Sequence, residues 1–186
     1  MQNYSDEQLI AHYLKGDEKA LKFLISRYLK PIYRFVYRNV GNTSDAEDIT
    51  QEVFVKVWRH LGKFDRNKSF KTWIFKIAQN TSIDFLRKKK VTLFSEFDDA
   101  EGKNAIAETL IDPAPLPEEI FDRNNLNREL TSAIEKLPLK YRIVLFLHYN
   151  DHFTFQEIAD VTGEPLDTIK SRHRRAIIEL RKILMR

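Results

Sequence analysis

The chain has 186 residues, with 31 Lys and Arg against 27 Asp and Glu, a net charge of +4, and no cysteine. Disulfides and thiolate metal sites are therefore excluded, and five scattered histidines show no metal-ligand spacing, so neither metal nor cofactor is expected. No 18-residue apolar run or signal peptide is present, which predicts a soluble, cytoplasmic protein without membrane insertion.

Five Gly, six Pro and long segments of 3.6-residue period predict an all-α protein. The charge is unevenly spread. Residues 1–92 carry 18 basic and 10 acidic side chains, a net of +8. Residues 93–122 carry 1 and 9, a net of −8, and residues 123–186 carry 12 and 8, a net of +4. Two small basic helical domains joined by an acidic linker are expected, a footprint of nucleic-acid binding.

In the first domain, Ser5 and Gln8 have capping-box spacing, which predicts a helix to about Lys15 with Gly16 as its stop. Asp17 can cap the next helix. Ala20, Leu21, Leu24, Ile25 and Tyr28 form its apolar stripe, which resumes after Pro31 through Ile32, Phe35 and Val36 to Gly41. A kink or break is expected near Pro31, because proline lacks the N–H of a helix interior.

Ser44 and Glu47 predict a third capping box, with Ala46, Ile49, Val53, Val57 and Leu61 as the buried stripe that follows. Asp45, Asp48 and Glu52, with Gln51 beside them, stack on another face. Like charges at this spacing weaken a helix by roughly 0.2–0.5 kcal/mol per pair, so the strip suits a basic partner. Complementing the helix dipole accounts for Asp45 and Glu47, but poorly for Glu52, two turns in. No His or nucleophile accompanies these carboxylates at motif spacing, and no catalytic residue is expected.

Phe64 to Lys90 reads as a loop feeding a long helix in which aromatic and basic residues interleave. Phe70, Trp73, Ile74, Ile77 and Phe85 fit a core, and on these residues alone most of the aromatics belong there. Lys68, Lys71, Lys76 and the run Arg87 to Lys90 make a cationic track, beside which Phe64 and Phe70 are placed to stack on unpaired bases. In the acidic segment, Pro113, Pro115 and Pro117 at alternate positions predict an extended linker. A solubilising spacer has the same composition.

The second domain ends in FTFQEIADVTGEPLDTIKSRHRRAIIELRKILMR. Thr154 and Glu157 predict a capping box, Gly163 ends that helix, and Pro165 can begin the next. Leu166, Ile169, Ala176, Ile177, Leu180 and Leu184 form one stripe, with Asp167, Ser171, Arg174 and Arg175 opposite. From Pro165 to Arg186, seven Lys and Arg face Asp167 and Glu179, a net of +5. A short helix, a glycine turn and a basic helix make the helix-turn-helix pattern that enters the DNA major groove, although a solvated basic surface shares these features.

Several stretches together resemble a known family. They are Asp45-Ala-Glu-Asp-Ile-Thr-Gln-Glu-Val-Phe-Val-Lys-Val-Trp58, Trp73-Ile-Phe-Lys-Ile-Ala-Gln-Asn80 with Asp84-Phe-Leu-Arg87, Leu137-Pro with Tyr141-Arg, and Ile169-Lys-Ser-Arg172. In this order and at these separations they resemble group IV, extracytoplasmic-function sigma factors of bacterial RNA polymerase, over nearly the whole chain.

The resemblance implies that residues 1–92 are a sigma-2 domain whose acidic helix docks on core RNA polymerase. Asp45, Asp48, Gln51 and Glu52 would meet the clamp helices of the β′ subunit, and the β subunit is a further implied contact. Phe64, Lys68, Ser69, Phe70 and Asn80 would hold the melted minus-10 element, including a flipped base of the non-template strand. Residues 123–186 would be a sigma-4 domain reading the minus-35 element of promoter DNA. There Lys170, Ser171, Arg174 and Arg175 would lie in the major groove, while Thr168 and Arg172 touch phosphate. The linker would thread toward the RNA exit path, and an anti-sigma factor is an implied partner. Two other classes make different demands. A conventional helix-turn-helix regulator would leave the acidic strip idle, and a nucleic-acid enzyme would need a nucleophile or clustered carboxylates beside the basic face.

Overall fold

The computed structural model describes residues 3–96, 130 and 132–185, with side chains of 90–96 outside the description. Helix α1 (Asp6–Leu14) opens on the expected capping box. The Gln8 N–H donates to Ser5 Oγ at 3.3 Å, and the Ser5 N–H donates to Gln8 Oε1 at 2.8 Å. Arg27 and Tyr28 both bind Asp6, tying α1 to the following helix. Burial and the Asp6 carboxylate push the Tyr28 hydroxyl far above its ordinary pKa.

Helix α2 (Glu18–Val40) runs without a break through Pro31, so of the kink or break expected there the break is not found. The lost N–H removes one backbone bond, while Leu24, Tyr28, Ile32, Phe35 and Val36 are buried on both sides of it. Each fully buried large apolar side chain contributes about 1.5–3 kcal/mol, so packing outweighs the local proline cost of about 3 kcal/mol. Gly41, at φ +70°, ends α2 and donates to the Tyr37 carbonyl at 2.8 Å.

Helix α3 (Thr43–His60) is capped by Asn42, whose side chain accepts from the Asp45 N–H at 2.9 Å. The expected cap at Ser44 is corrected: Asn42 stands in extended backbone at the cap position, and Ser44 already lies inside the helix. A 3₁₀ turn (Leu61–Lys63) and a loop lead to α4 (Phe70–Glu96). Helix α4 passes the boundary expected at residue 92. Helix α2 contacts α1, α3 and α4, and edge-on ring pairs Phe35–Phe75 at 5.2 Å and Tyr28–Phe70 at 5.3 Å fill the centre.

The chain divides into two compact units, residues 1–112 and 113–186. The division falls inside the acidic segment, and beyond Glu96 the expected linker lies outside the described residues. In the second unit, α5 (Leu139–Leu145) continues into a π-helical turn (Phe146–Asn150). Helix α6 (Phe155–Thr162) carries the expected Thr154–Glu157 capping box and ends at Gly163, φ +73°. Pro165 is the N-cap of α7 (Leu166–Leu184), one residue ahead of the helix it was expected to begin.

Leu137, Leu145 and Ala176 form a buried cluster that Tyr141, Ile177, Leu180 and Ile183 pack against. Ile183 takes the place expected for Leu184, which is 49% exposed. Seven residues after Ala176, Ile183 nearly completes two helical turns and sits closer to the stripe's centre.

Candidate nucleic-acid interface

Three exposed faces carry the polar residues singled out above. On α3, the buried stripe Ala46, Ile49, Val53 and Val57 fixes the helix rotation, which leaves Asp48, Gln51 and Glu52 exposed. Glu52 lies 2.8 Å from Lys56 Nζ, and Lys56 also donates to Thr81 Oγ1 on α4 at 3.0 Å. Asp45 is not part of the open strip. Its carboxylate is 2.7 Å from Lys89 Nζ and holds α4 against the start of α3.

Val55, 43% exposed, and Trp58, 56% exposed, extend this face toward the helix end. Sequence reasoning missed both. Val55 follows Asp48 by seven residues and Gln51 by four, and Trp58 follows Gln51 by seven, spacings that place them on the acidic face and off the buried stripe.

The second face begins at the loop before α4. Asp65 folds it by accepting from the Asn67 N–H at 3.1 Å with its side chain and from the Lys68 N–H at 3.0 Å with its carbonyl. Ser69 Oγ accepts from the Thr72 N–H at 3.2 Å, satisfying a donor of α4's first turn. Lys68, Ser69 and Asn80 are exposed, and Phe64 is half-buried. Phe70 is only 1% exposed, enclosed by Tyr28, Phe64 and Trp73, so a role in stacking on a base is corrected. Phe70 instead supports Phe64, which also lies 4.9 Å from the half-buried Trp73 ring. Trp73, Lys76 and Asn80 follow one another along one side of α4, where sequence reasoning had placed Trp73 only in the core.

The third face is the outer side of α7. Lys170, Ser171, Arg174 and Arg175 are exposed there, with Thr168 half-exposed. Arg172, expected at phosphate, is engaged within the unit. Its guanidinium grips the Glu164 carboxylate in a two-pronged ion pair, with Nη2–Oε1 at 2.7 Å. Such paired geometry gives orientation as well as attraction, here across the turn between α6 and α7. Ile178, 46% exposed, lines a shallow groove with Ile177 between Arg174, Arg181 and Lys182.

Among the described residues, no three His, Cys, Asp or Glu side chains gather to hold a metal ion. No described helix is long and apolar enough to cross a membrane.

An acidic helix beside a basic aromatic loop in one unit, and a basic helix-turn-helix in the other, match two family models in the same order. The sigma-70 region 2 model matches residues 24–92, and the sigma-70 region 4 model matches residues 127–180. The chain belongs to the sigma-70 family, and its function is promoter-specific transcription initiation with RNA polymerase.

Within that family it is an extracytoplasmic-function sigma factor. It is 37% identical over 172 residues to the ECF RNA polymerase sigma factor SigW of Bacillus subtilis, covering 91% of each chain. It is 31% identical over 173 residues to the ECF RNA polymerase sigma-E factor of Escherichia coli, covering 92% of this chain and 90% of that one. The fold is similar to that of the sigma factor RpoE crystallised with the anti-sigma factor NepR from Bartonella quintana. The TM-score there is 0.67 at 22% identity, over 90% of this chain and 98% of that one. It is also similar to CnrH in complex with the cytosolic domain of CnrY, with TM-score 0.64 at 22% identity over 96% of each.

Proposed function

We propose that the three faces divide the work of initiation. The α3 strip of Asp48, Gln51, Glu52, Val55 and Trp58 docks on core polymerase at the β′ clamp helices. It offers carboxylates to a basic surface and an apolar end that loses water on binding. The β subunit is a second contact. Phe64, Lys68, Ser69 and Asn80 hold the opened minus-10 strand. Stacking is worth about 1–3 kcal/mol per base, comparable to the few kcal/mol that extruding a base costs.

Lys170, Ser171, Arg174 and Arg175 read the minus-35 duplex, with Thr168 at the backbone. A bidentate Arg–guanine contact discriminates by about 1–3 kcal/mol, and Arg174 and Arg175 carry that role. The chain performs no chemistry of its own: binding energy drives melting, and the polymerase makes the RNA. It works in the cytoplasm, where polymerase and promoter DNA are. The acidic segment occupies basic surface near the RNA exit path. An anti-sigma factor restrains the protein by covering these faces, a reading supported by the sigma factor RpoE having been crystallised with its anti-sigma factor NepR.

The observation that carries this reading is the outward row Lys170, Ser171, Arg174 and Arg175, presented by a capped helix-turn-helix. Photo-crosslinking from single positions in the holoenzyme tests it. A crosslinker at Glu52 should capture β′, one at Phe64 the non-template strand, and one at Lys170 the upstream duplex. Capture of duplex DNA from position 52 would overturn the assignment.

A further inference from the structure

His148 and His173 belong to none of these three faces, yet they join α7 to the rest of its unit. His148 Nδ1 lies 2.8 Å from the Phe153 carbonyl oxygen, which only accepts, so this nitrogen carries a proton. His173, on α7, places Nε2 3.0 Å from the Tyr149 hydroxyl. The rings form one cluster: His148 stacks on Phe155 at 4.6 Å, and His173 sits 5.0 Å from Phe155 and 5.4 Å from His148. The π-helical turn, α6 and α7 thus meet at His173.

Burial, and then the neighbouring His148, hold His173 below its ordinary value of 6.5. The groups facing it are His148 and Tyr149 from the turn and the Phe155 ring from α6; Arg172 and Arg174 flank it on its own helix. Asp151 and His152 lie in the connecting loop, and no carboxylate is among the causes of the lowered value. Glu164 is engaged by Arg172, and Glu157 by Thr154. Protonating both imidazoles therefore places two cations with rings 5.4 Å apart, next in sequence to two guanidiniums.

We propose that His148, Tyr149 and His173 form a proton-sensitive anchor that positions α7, closed near neutral pH and released when the histidines are protonated. The proposal rests on α7 being the DNA-reading helix. Because the folded His173 binds its proton less readily than the unfolded one, the anchor is fully present above the ordinary histidine value. It is lost as pH falls from that value toward the depressed one.

Nuclear magnetic resonance of the full chain, titrated from about pH 8 to about pH 5, follows the His173 imidazole and the α7 amides through the histidine range. His173 should titrate below its ordinary value, and the amides of residues 166–184 should shift with it. His148→Gln, which removes the neighbouring charge, should raise the His173 titration. In the holoenzyme, the ratio of promoter affinity at about pH 7.5 to that at about pH 5.5 should exceed one, because the anchored histidine binds its proton less readily than the released one. In His173→Gln that ratio should approach one.

His173 titrating at its ordinary value with α7 amides unmoved would overturn the anchor. Equal losses of affinity in the wild type and His173→Gln would overturn it as well. Amide shifts that follow His173 while promoter affinity stays flat would uphold the anchor and instead overturn α7 as the DNA-reading helix.

Discussion

Phe64 and Phe70 are six positions apart and carry the same ring, yet their surroundings give them different work. Phe70 is enclosed, so Phe70→Ala should lower the urea-unfolding free energy of the first unit by about 3–5 kcal/mol. Phe64→Ala should cost less stability and reduce permanganate reactivity of the opened minus-10 thymines about tenfold, the loss of one stacked base. Arg172 and Arg174 differ in the same way. Arg174→Gln should relax preference at one minus-35 base pair about tenfold or more. Arg172→Gln should lower the unfolding free energy of the second unit by about 1 kcal/mol, because a partly exposed paired guanidinium is lost. It should leave the salt dependence of promoter binding unchanged, whereas loss of a phosphate contact would flatten that slope by about one.

Among the elements, helix ends set by local side-chain chemistry were legible in the sequence. The Ser5–Gln8 and Thr154–Glu157 boxes and the Gly163 stop depend on residues three or fewer positions apart, and each is found where spacing placed it. The start of α3 was not legible, because Asn42 and Ser44 both suit a cap and only the folded backbone, extended at Asn42 and helical from Thr43, distinguishes them. Asn42→Ala should therefore cost about 1 kcal/mol in a denaturant melt, and Ser44→Ala less than about 0.5 kcal/mol.

The unbroken α2 escaped sequence reasoning for another reason. Proline's effect is local, and the packing that overrides it comes from α1, α3 and α4. On the acidic face the charges stood out, but Val55 and Trp58 did not, since an exposed apolar residue looks like core until the helix rotation is fixed. Trp58→Ala should weaken core-polymerase binding by about 2 kcal/mol, some 30-fold in a fluorescence titration, while thermal unfolding is unchanged.

At the scale of the whole molecule, charge segmentation and the order of motifs were enough to place two helical units in sequence. What they could not supply is which polar residues are already engaged within a unit. Asp45 is tied to Lys89 and Arg172 to Glu164, so neither is free in the way its position suggested. Both pairs join residues on different elements, 44 and 8 positions apart, and only the folded backbone brings them together. The faces that remain open are the acidic strip of α3, the loop before α4 and the outer side of α7. On the proposed assignment initiation uses all three at once, whereas operator binding by an isolated helix-turn-helix uses the last alone.

Transcription in vitro on a library of promoter fragments separates these two cases. Core polymerase would be combined with no added factor, with the wild-type chain, with Glu52→Arg and with Arg174→Gln. Start-site-specific transcripts should appear with the wild-type chain and not without a factor, be lost with Glu52→Arg, and shift in promoter preference with Arg174→Gln. Full transcription with Glu52→Arg, or duplex binding by the chain alone without any start-site-specific transcript, would contradict the account.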